Sequence, residues 1–316
     1  MMKIIWIFAI SVLSFFSHAL EVRLDTRGGS MQSIPVMNQQ NSATCYAYTA
    51  SQMYDSYRFG RLNDRRTNVL SSPLALAIEY TINGAEDMDW NGGYPDPTLE
   101  FAFERGTCSH QAFNSNLNGN SIDEFMQEIE DDLNGLARGG PGNPWLRGDH
   151  DHDMRMRTIA YYRAQQRQRL LRAAQERINS RCRSRITMRQ NPAIERVPLN
   201  GLRDSTSFSQ LMMRQMPNAR SAAIGTVYCE DFLKTTRQSV LNEEGTFDRT
   251  QCNIYHASVL VGWRGSAGAE EVLLRNSKGL DCTQYNTNWR LRCQNGQLWV
   301  PINDFLKNAE YVFYIK

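Results

Sequence analysis

The sequence is poor in several features that would decide its class at once. It has no surplus of charge: 35 Lys and Arg stand against 33 Asp and Glu, for a net +2. No global field therefore favours nucleic acid or an anionic membrane as partner. No CxxC pair and no His–Cys cluster of metal-ligand spacing occurs, so a zinc site is not expected and no cofactor is implied. There is no internal repeat and no low-complexity tract. Beyond the first residues no apolar run reaches the roughly 20 positions that a bilayer core requires. Histidine is scarce, with five in the chain, which shortens any search for a general base.

The start of the chain has its own texture. Met1-Met2-Lys3 is basic, Ile4 to Phe16 is apolar but short, and Ser17-His18-Ala19 puts small residues at the −3 and −1 positions. This reads as a signal peptide cut after Ala19, and it is set aside from the fold. The mature protein is expected to be secreted or periplasmic, with no membrane contact after cleavage.

Export changes how the seven cysteines are read. Cys45, Cys108, Cys182, Cys229, Cys252, Cys282 and Cys293 face an oxidising compartment, which favours pairing. Seven is odd, so one thiol is left over and needs a chemical reason. Six cysteines allow fifteen connectivities. Proximity along the chain suggests Cys282 with Cys293, Cys229 with Cys252, and Cys108 with Cys182.

The pattern of elements is α+β. Ala47, Ala50, Met53, Tyr54 and Tyr57 recur at helical spacing from Cys45 to Gly60. A second helix runs from Ser72-Pro73 to Tyr80, with Ser72 as N-cap and Pro73 in the first turn. A third runs from Pro97 to Arg105 and is closed by Gly106. Ser121 to Leu133 reads as a short acidic helix, Gly135 to Gly148 as a loop, and Met154 to about Asn179 as a long helix. Between Arg155 and Arg189 there are eleven Arg against one Glu. A solvated helix face explains such a run, and a face for an acidic partner is the alternative. Interleaved aromatics are confined to Tyr161 and Tyr162, so nucleic-acid binding is not expected. From Ala222 the texture becomes β: Ala222–Tyr228, His256–Trp263, Glu271–Arg275, Gln297–Val300 and Glu310–Ile315 are short apolar or alternating runs.

One constellation carries chemistry. Cys45 opens a predicted helix, where the dipole and the backbone N–H groups favour an anion and lower a thiol pKa. Gln39, six residues earlier, could donate its amide N–H to a developing oxyanion. A base must come from His110, His150, His152 or His256. The first three lie in the irregular middle, and His150-Asp151-His152-Asp153 reads as a hydrophilic surface loop. His256 starts an apolar strand, and a strand holds a side chain firmly. Asn276 follows the next strand and could fix the imidazole tautomer, the third role of a triad.

These residues resemble a known family. Pro35-Val36-Met37-Asn38-Gln39 followed by Ser42-Ala43-Thr44-Cys45-Tyr46-Ala47-Tyr48 is similar to the active-site segment of papain and the cathepsins. Asn91-Gly92-Gly93-Tyr94-Pro95 resembles the family's substrate-binding loop, His256-Ala257 its histidine segment, and Arg275-Asn276-Ser277 its asparagine segment. The four come in the family's order, over residues 30–106 and 205–316. The resemblance implies a papain-like two-lobe fold, with a helical left lobe, a β-rich right lobe, and an inserted helical segment over about 110–200. It implies a cysteine endopeptidase with Cys45 as nucleophile, His256 as base, Asn276 as its orienting group and Gln39 at the oxyanion. It also implies that Gly92 and Gly93 meet a peptide backbone, and that Tyr94, Pro95, Ile254 and Ala257 wall an apolar pocket for the second residue before the cut.

The departures are specific. The family's cysteine three residues before the nucleophile is Ser42 here, and its partner before the Asn-Gly-Gly loop is Trp90, so both ends of that bridge are absent together. The tryptophan after Asn-Ser is Lys278, which removes an aromatic shield over the His–Asn hydrogen bond. From the expected cleavage point, 25 residues (20–44) precede Cys45, too few for the family's propeptide. Two other readings stay open: a papain-fold binding protein that has lost activity, and a cysteine amidase acting on cell-wall peptides.

Overall fold

The computed structural model describes residues 20–40, 43–64, 69–84, 92–114, 125, 129, 168–201, 204–236, 238–265 and 269–316. The signal-peptide segment, Ser42, Trp90, Asn91, His150, His152, Tyr161, Tyr162 and most of the acidic helix fall outside them.

Helices α1 (Cys45–Gly60), α2 (Pro73–Gly84) and α3 (Pro95–Arg105) pack on one another. Ala47, Ala50, Met53, Tyr54 and Tyr57, read from α1 at helical spacing, are all buried, and so are polar residues between them such as Ser51 and Gln52, so the helix is enclosed on nearly every side. Arg58 is buried as well, held by Asp55 at 2.8 Å and by the Val69 carbonyl at 2.9 Å. The pairing offsets part of the cost of burying this charge, and burial still holds the Asp55 carboxyl up at about 6 despite Arg58. Helix α3 stops at Gly106, whose φ of 71° lies in the left-handed region that glycine enters without strain. A two-stranded ribbon of β2 (Thr107–Cys108) and β3 (Arg185–Ile186) follows, with α4 (His110–Asn114) beside it.

The second half is an antiparallel sheet. Strands β4 (Ile194–Pro198), β5 (Ile224–Cys229), β6 (Tyr255–Gly265), β7 (Glu271–Arg275), β8 (Cys293–Gln294), β9 (Gln297–Pro301) and β10 (Ala309–Ile315) lie in the order β4-β10-β5-β6-β7-β9-β8. Strand β1 (Leu20–Arg23) adds to the far end of β6, Leu20 opposite Gly265. Helix α1 lies against β6 and β5, so one apolar core runs from the helices into the sheet. The molecule is α+β, as its sequence pattern indicates.

The stretch over residues 168–201 is tied to this frame. The helix over residues 168–181 places Leu170, Ala174 and Ile178 every four residues, Cys182 follows its end at the same spacing, and all four pack on the common core. Arg169 and Arg172 on its other side are exposed. The stretch after it, counted with the insertion on sequence, returns to the body of the fold. Arg185 pairs with Glu79 of α2, and β4 pairs with β10, Ile194 opposite Ile315. Three disulfides join Cys108–Cys182, Cys229–Cys252 and Cys282–Cys293, and Cys45 is the free cysteine. Among the described residues no helix is long and apolar enough to cross a membrane.

Candidate active site

Cys45 is the first residue of α1, where the leading N–H groups of a helix have no intrahelical acceptors. His256 is the second residue of β6 and Asn276 directly follows β7. Because β6 and β7 run antiparallel, the end of one lies beside the start of the other. His256 Nε2 meets Asn276 Oδ1 at 2.6 Å. This contact fixes one ring nitrogen and leaves Nδ1 for the sulfur. The Cys45 and His256 side chains are hydrogen-bond partners, and the backbone N–H of Ala257 also donates to Cys45.

The electrostatics follow from this packing. Burial pushes the Cys45 thiol up, but the charge and hydrogen bond of His256, the Ala257 N–H and the Lys278 charge outweigh it, and the thiol lies below its ordinary value. Burial lowers the His256 imidazole, whereas Cys45 and Glu230 raise it, and the net direction is upward. The two shifts together favour a thiolate–imidazolium pair.

Gln39 is 3% exposed. The loop that carries it runs antiparallel to the segment after Asn276: Gln39 N–H donates to Ser277 O at 2.8 Å and Gly279 N–H to Met37 O at 2.9 Å. The Ser277 hydroxyl donates to Gln39 Oε1, which assigns the donor role to the amide's other end, Nε2. The backbone at Gly93 lies against Tyr46, the residue after Cys45. A Cβ on Gly93 would stand 2.7 Å from the Tyr46 ring, so only glycine lets this backbone lie on that face.

The expected pocket residues divide. Tyr94 and Ile254 are 43% and 39% exposed, and Tyr255 beside them is 41% exposed. Pro95 and Ala257 are buried, and Ala257 meets the sulfur through its backbone. Arg249 and Glu310 form an ion pair next to Tyr255, each offsetting the other's charge.

Aromatic side chains stand close to the His256–Asn276 contact, although the residue after Ser277 is Lys278. Asn276 is fully buried and His256 is 4% exposed. Tyr228 stands edge-on to the imidazole, with ring centres 5.7 Å apart. Phe232 packs on Tyr228 and Trp289 on Phe232. Tyr285 lies against Asn276. The sequence reading missed these groups, and it also missed Glu230, whose carboxylate reaches Asn276. His110 is the first residue of α4. Cys229, Asp231 and Cys252 gather at metal-ligand spacing, but the disulfide between the two cysteines occupies two of the three ligand atoms.

No family model matches the chain, and no curated protein matches it in sequence. Among solved structures it is similar to a digestive procathepsin L 3 of Tenebrio molitor larval midgut, with 13% identity over 96% of this chain and 72% of that one, at a TM-score of 0.49. It is also similar to xylellain, a cysteine protease from Xylella fastidiosa, with 14% identity over 94% and 85% and a TM-score of 0.47. A third is the bromelain protease of Ananas comosus, with 12% identity over 94% and 98% and a TM-score of 0.46. Likeness at this level carries no argument about what the chain does.

Proposed function

We propose that this chain is a papain-like cysteine endopeptidase that works outside the cytoplasm. The observation that carries the reading is the free Cys45 at a helix start, hydrogen-bonded to a His256 whose Nε2 rests on Asn276 at 2.6 Å. The three disulfides fit an oxidising compartment.

In this reading the Cys45 thiolate attacks the scissile carbonyl carbon, and the C=O electron pair moves onto oxygen. The Gln39 Nε2–H group and the backbone N–H of Cys45 hold that oxyanion. Collapse expels the amine, which takes the His256 proton, and leaves a thioester on Cys45. Neutral His256 then removes a proton from water, which attacks the thioester. The second collapse releases the acid and restores the thiolate–imidazolium pair. The exposed apolar bodies of Tyr94 and Ile254 supply the wall for the second residue before the cut, so Leu, Val or an aromatic is selected there.

Hydrolysis of internally quenched peptides by the wild-type chain and by Cys45→Ala tests the assignment. The wild type cleaves within the peptide and the variant does not. Equal rates for both chains, or release from a cell-wall digest with none from peptides, would overturn it.

A further inference from the structure

Glu230 is a buried carboxylate that the scheme above does not use. It follows β5, with its backbone N–H on the Ile254 carbonyl at 2.8 Å, and it is fully buried. Its Oε1 accepts from Asn276 Nδ2 at 3.0 Å, and its Oε2 pairs with Lys234 Nζ at 2.6 Å. A buried anion is costly to desolvate, so this arrangement calls for a physical account.

The first consequence is geometric. The two ends of an asparagine amide are nearly the same size, and only the partners decide which faces which. A carboxylate accepts and cannot donate, so Glu230 takes the Nδ2 end and Oδ1 must face His256. The second consequence is electrostatic. Burial drives the Glu230 carboxyl up, but His256, Lys234 and Asn276 hold it at about 2, so it is ionised at any working pH. The charged and titratable groups around it are His256 and Tyr228 from the sheet, Lys234 from the helix Asp231–Lys234, and Tyr285. Cys45 and Lys278 also act on His256.

We infer that Glu230 is a positioning residue of this site: it orients the Asn276 amide toward His256 and, as a fixed buried anion, stabilises the imidazolium of the Cys45–His256 pair. Its effect on peptide hydrolysis rests on the function proposed above. Its effect on Cys45 and His256 does not, and the two are measured separately.

The test is the pH dependence of Cys45 alkylation by iodoacetamide, followed in the wild type, Glu230→Gln and Lys234→Gln. Glutamine keeps an acceptor for Asn276 and drops the charge. The alkaline step, where His256 loses its proton, moves down by about one pH unit in Glu230→Gln, as expected for a charge at this range. It moves up in Lys234→Gln, which leaves the carboxylate without its cation. Peptide kcat falls about tenfold in Glu230→Gln, with KM little changed. Superimposable alkylation profiles for wild type and Glu230→Gln would overturn the inference. If that variant does not fold, an unmoved step in Lys234→Gln would do the same. Shifted profiles in a wild type that cleaves no peptide would uphold the role of Glu230 and refute the peptidase reading.

Discussion

The Ser277 hydroxyl donates to the Gln39 amide oxygen, across 238 residues of sequence, and so aims the amide nitrogen of a loop whose backbone is tied to Ser277 and Gly279. Gln39→Ala should lower kcat by about 100- to 1000-fold with KM nearly unchanged, because an oxyanion donor acts in the transition state. Ser277→Ala should cost about tenfold, since it frees the amide without removing it. Steady-state kinetics on one peptide checks both, and equal losses in the two variants would contradict this division of roles.

Cys45 should be the only cysteine alkylated in the native protein, since the other six are bonded in pairs. Mass mapping after iodoacetamide treatment checks this. Label on Cys182 or Cys229 would mean that the disulfide set is different.

Peptide libraries varied at the second residue before the cut should favour Leu, Val and aromatics by about 1–3 kcal/mol per well-filled group. Tyr94, Ile254 and the neighbouring Tyr255 are exposed apolar surfaces, and the paired charges of Arg249 and Glu310 offer no single sign to a ligand. A library led by Arg or Glu would contradict this.

The disulfides should rank by the loop each one closes. Cys108–Cys182 spans 74 residues and Cys282–Cys293 spans 11. On the chain-entropy account, replacing the first pair by serines costs about 4 kcal/mol and the second about 3 kcal/mol. Denaturant unfolding of the two double variants measures the order, and a reversed order would contradict it.

Much of this architecture was legible in the residues. Glu271–Arg275 is a strand with the bounds its short apolar run indicates, and Gly106 ends its helix in the backbone conformation that glycine favours. The three cysteine pairs are those that proximity suggests. Edge elements were not legible. Ile194–Pro198 carries Glu195, Arg196 and a proline, so it lacks an apolar run, yet it pairs along β10 because an edge strand needs only one bonded side. The helix Ser205–Gln215 is capped by Asp204 and buries Phe208, Leu211 and Met212, a pattern present in sequence but passed over. The surroundings of His256 could not be read at all. Tyr228, Tyr285 and Glu230 reach the site through strand register and turns, and no local pattern announces a contact across 46 residues.

Glu230 also sets an acid limit on stability. Its carboxyl lies at about 2 in the folded chain against an ordinary 4.5. The stabilisation is therefore complete above pH 4.5 and is lost as pH falls toward 2. The full difference is on the order of 3 kcal/mol. Denaturation midpoints between pH 5 and pH 2 should fall more steeply for the wild type than for Glu230→Gln, and parallel curves would contradict the shift.

Active-site titration with an irreversible thiol-directed peptidyl epoxide tests the central claim most directly. It requires at once a peptide-binding cleft, a reactive sulfur and a placed acid. The expected result is one adduct per chain, on Cys45, with loss of peptide hydrolysis in the same proportion. No adduct in a chain whose Cys45 still reacts with iodoacetamide, or an adduct on any other residue, would contradict it.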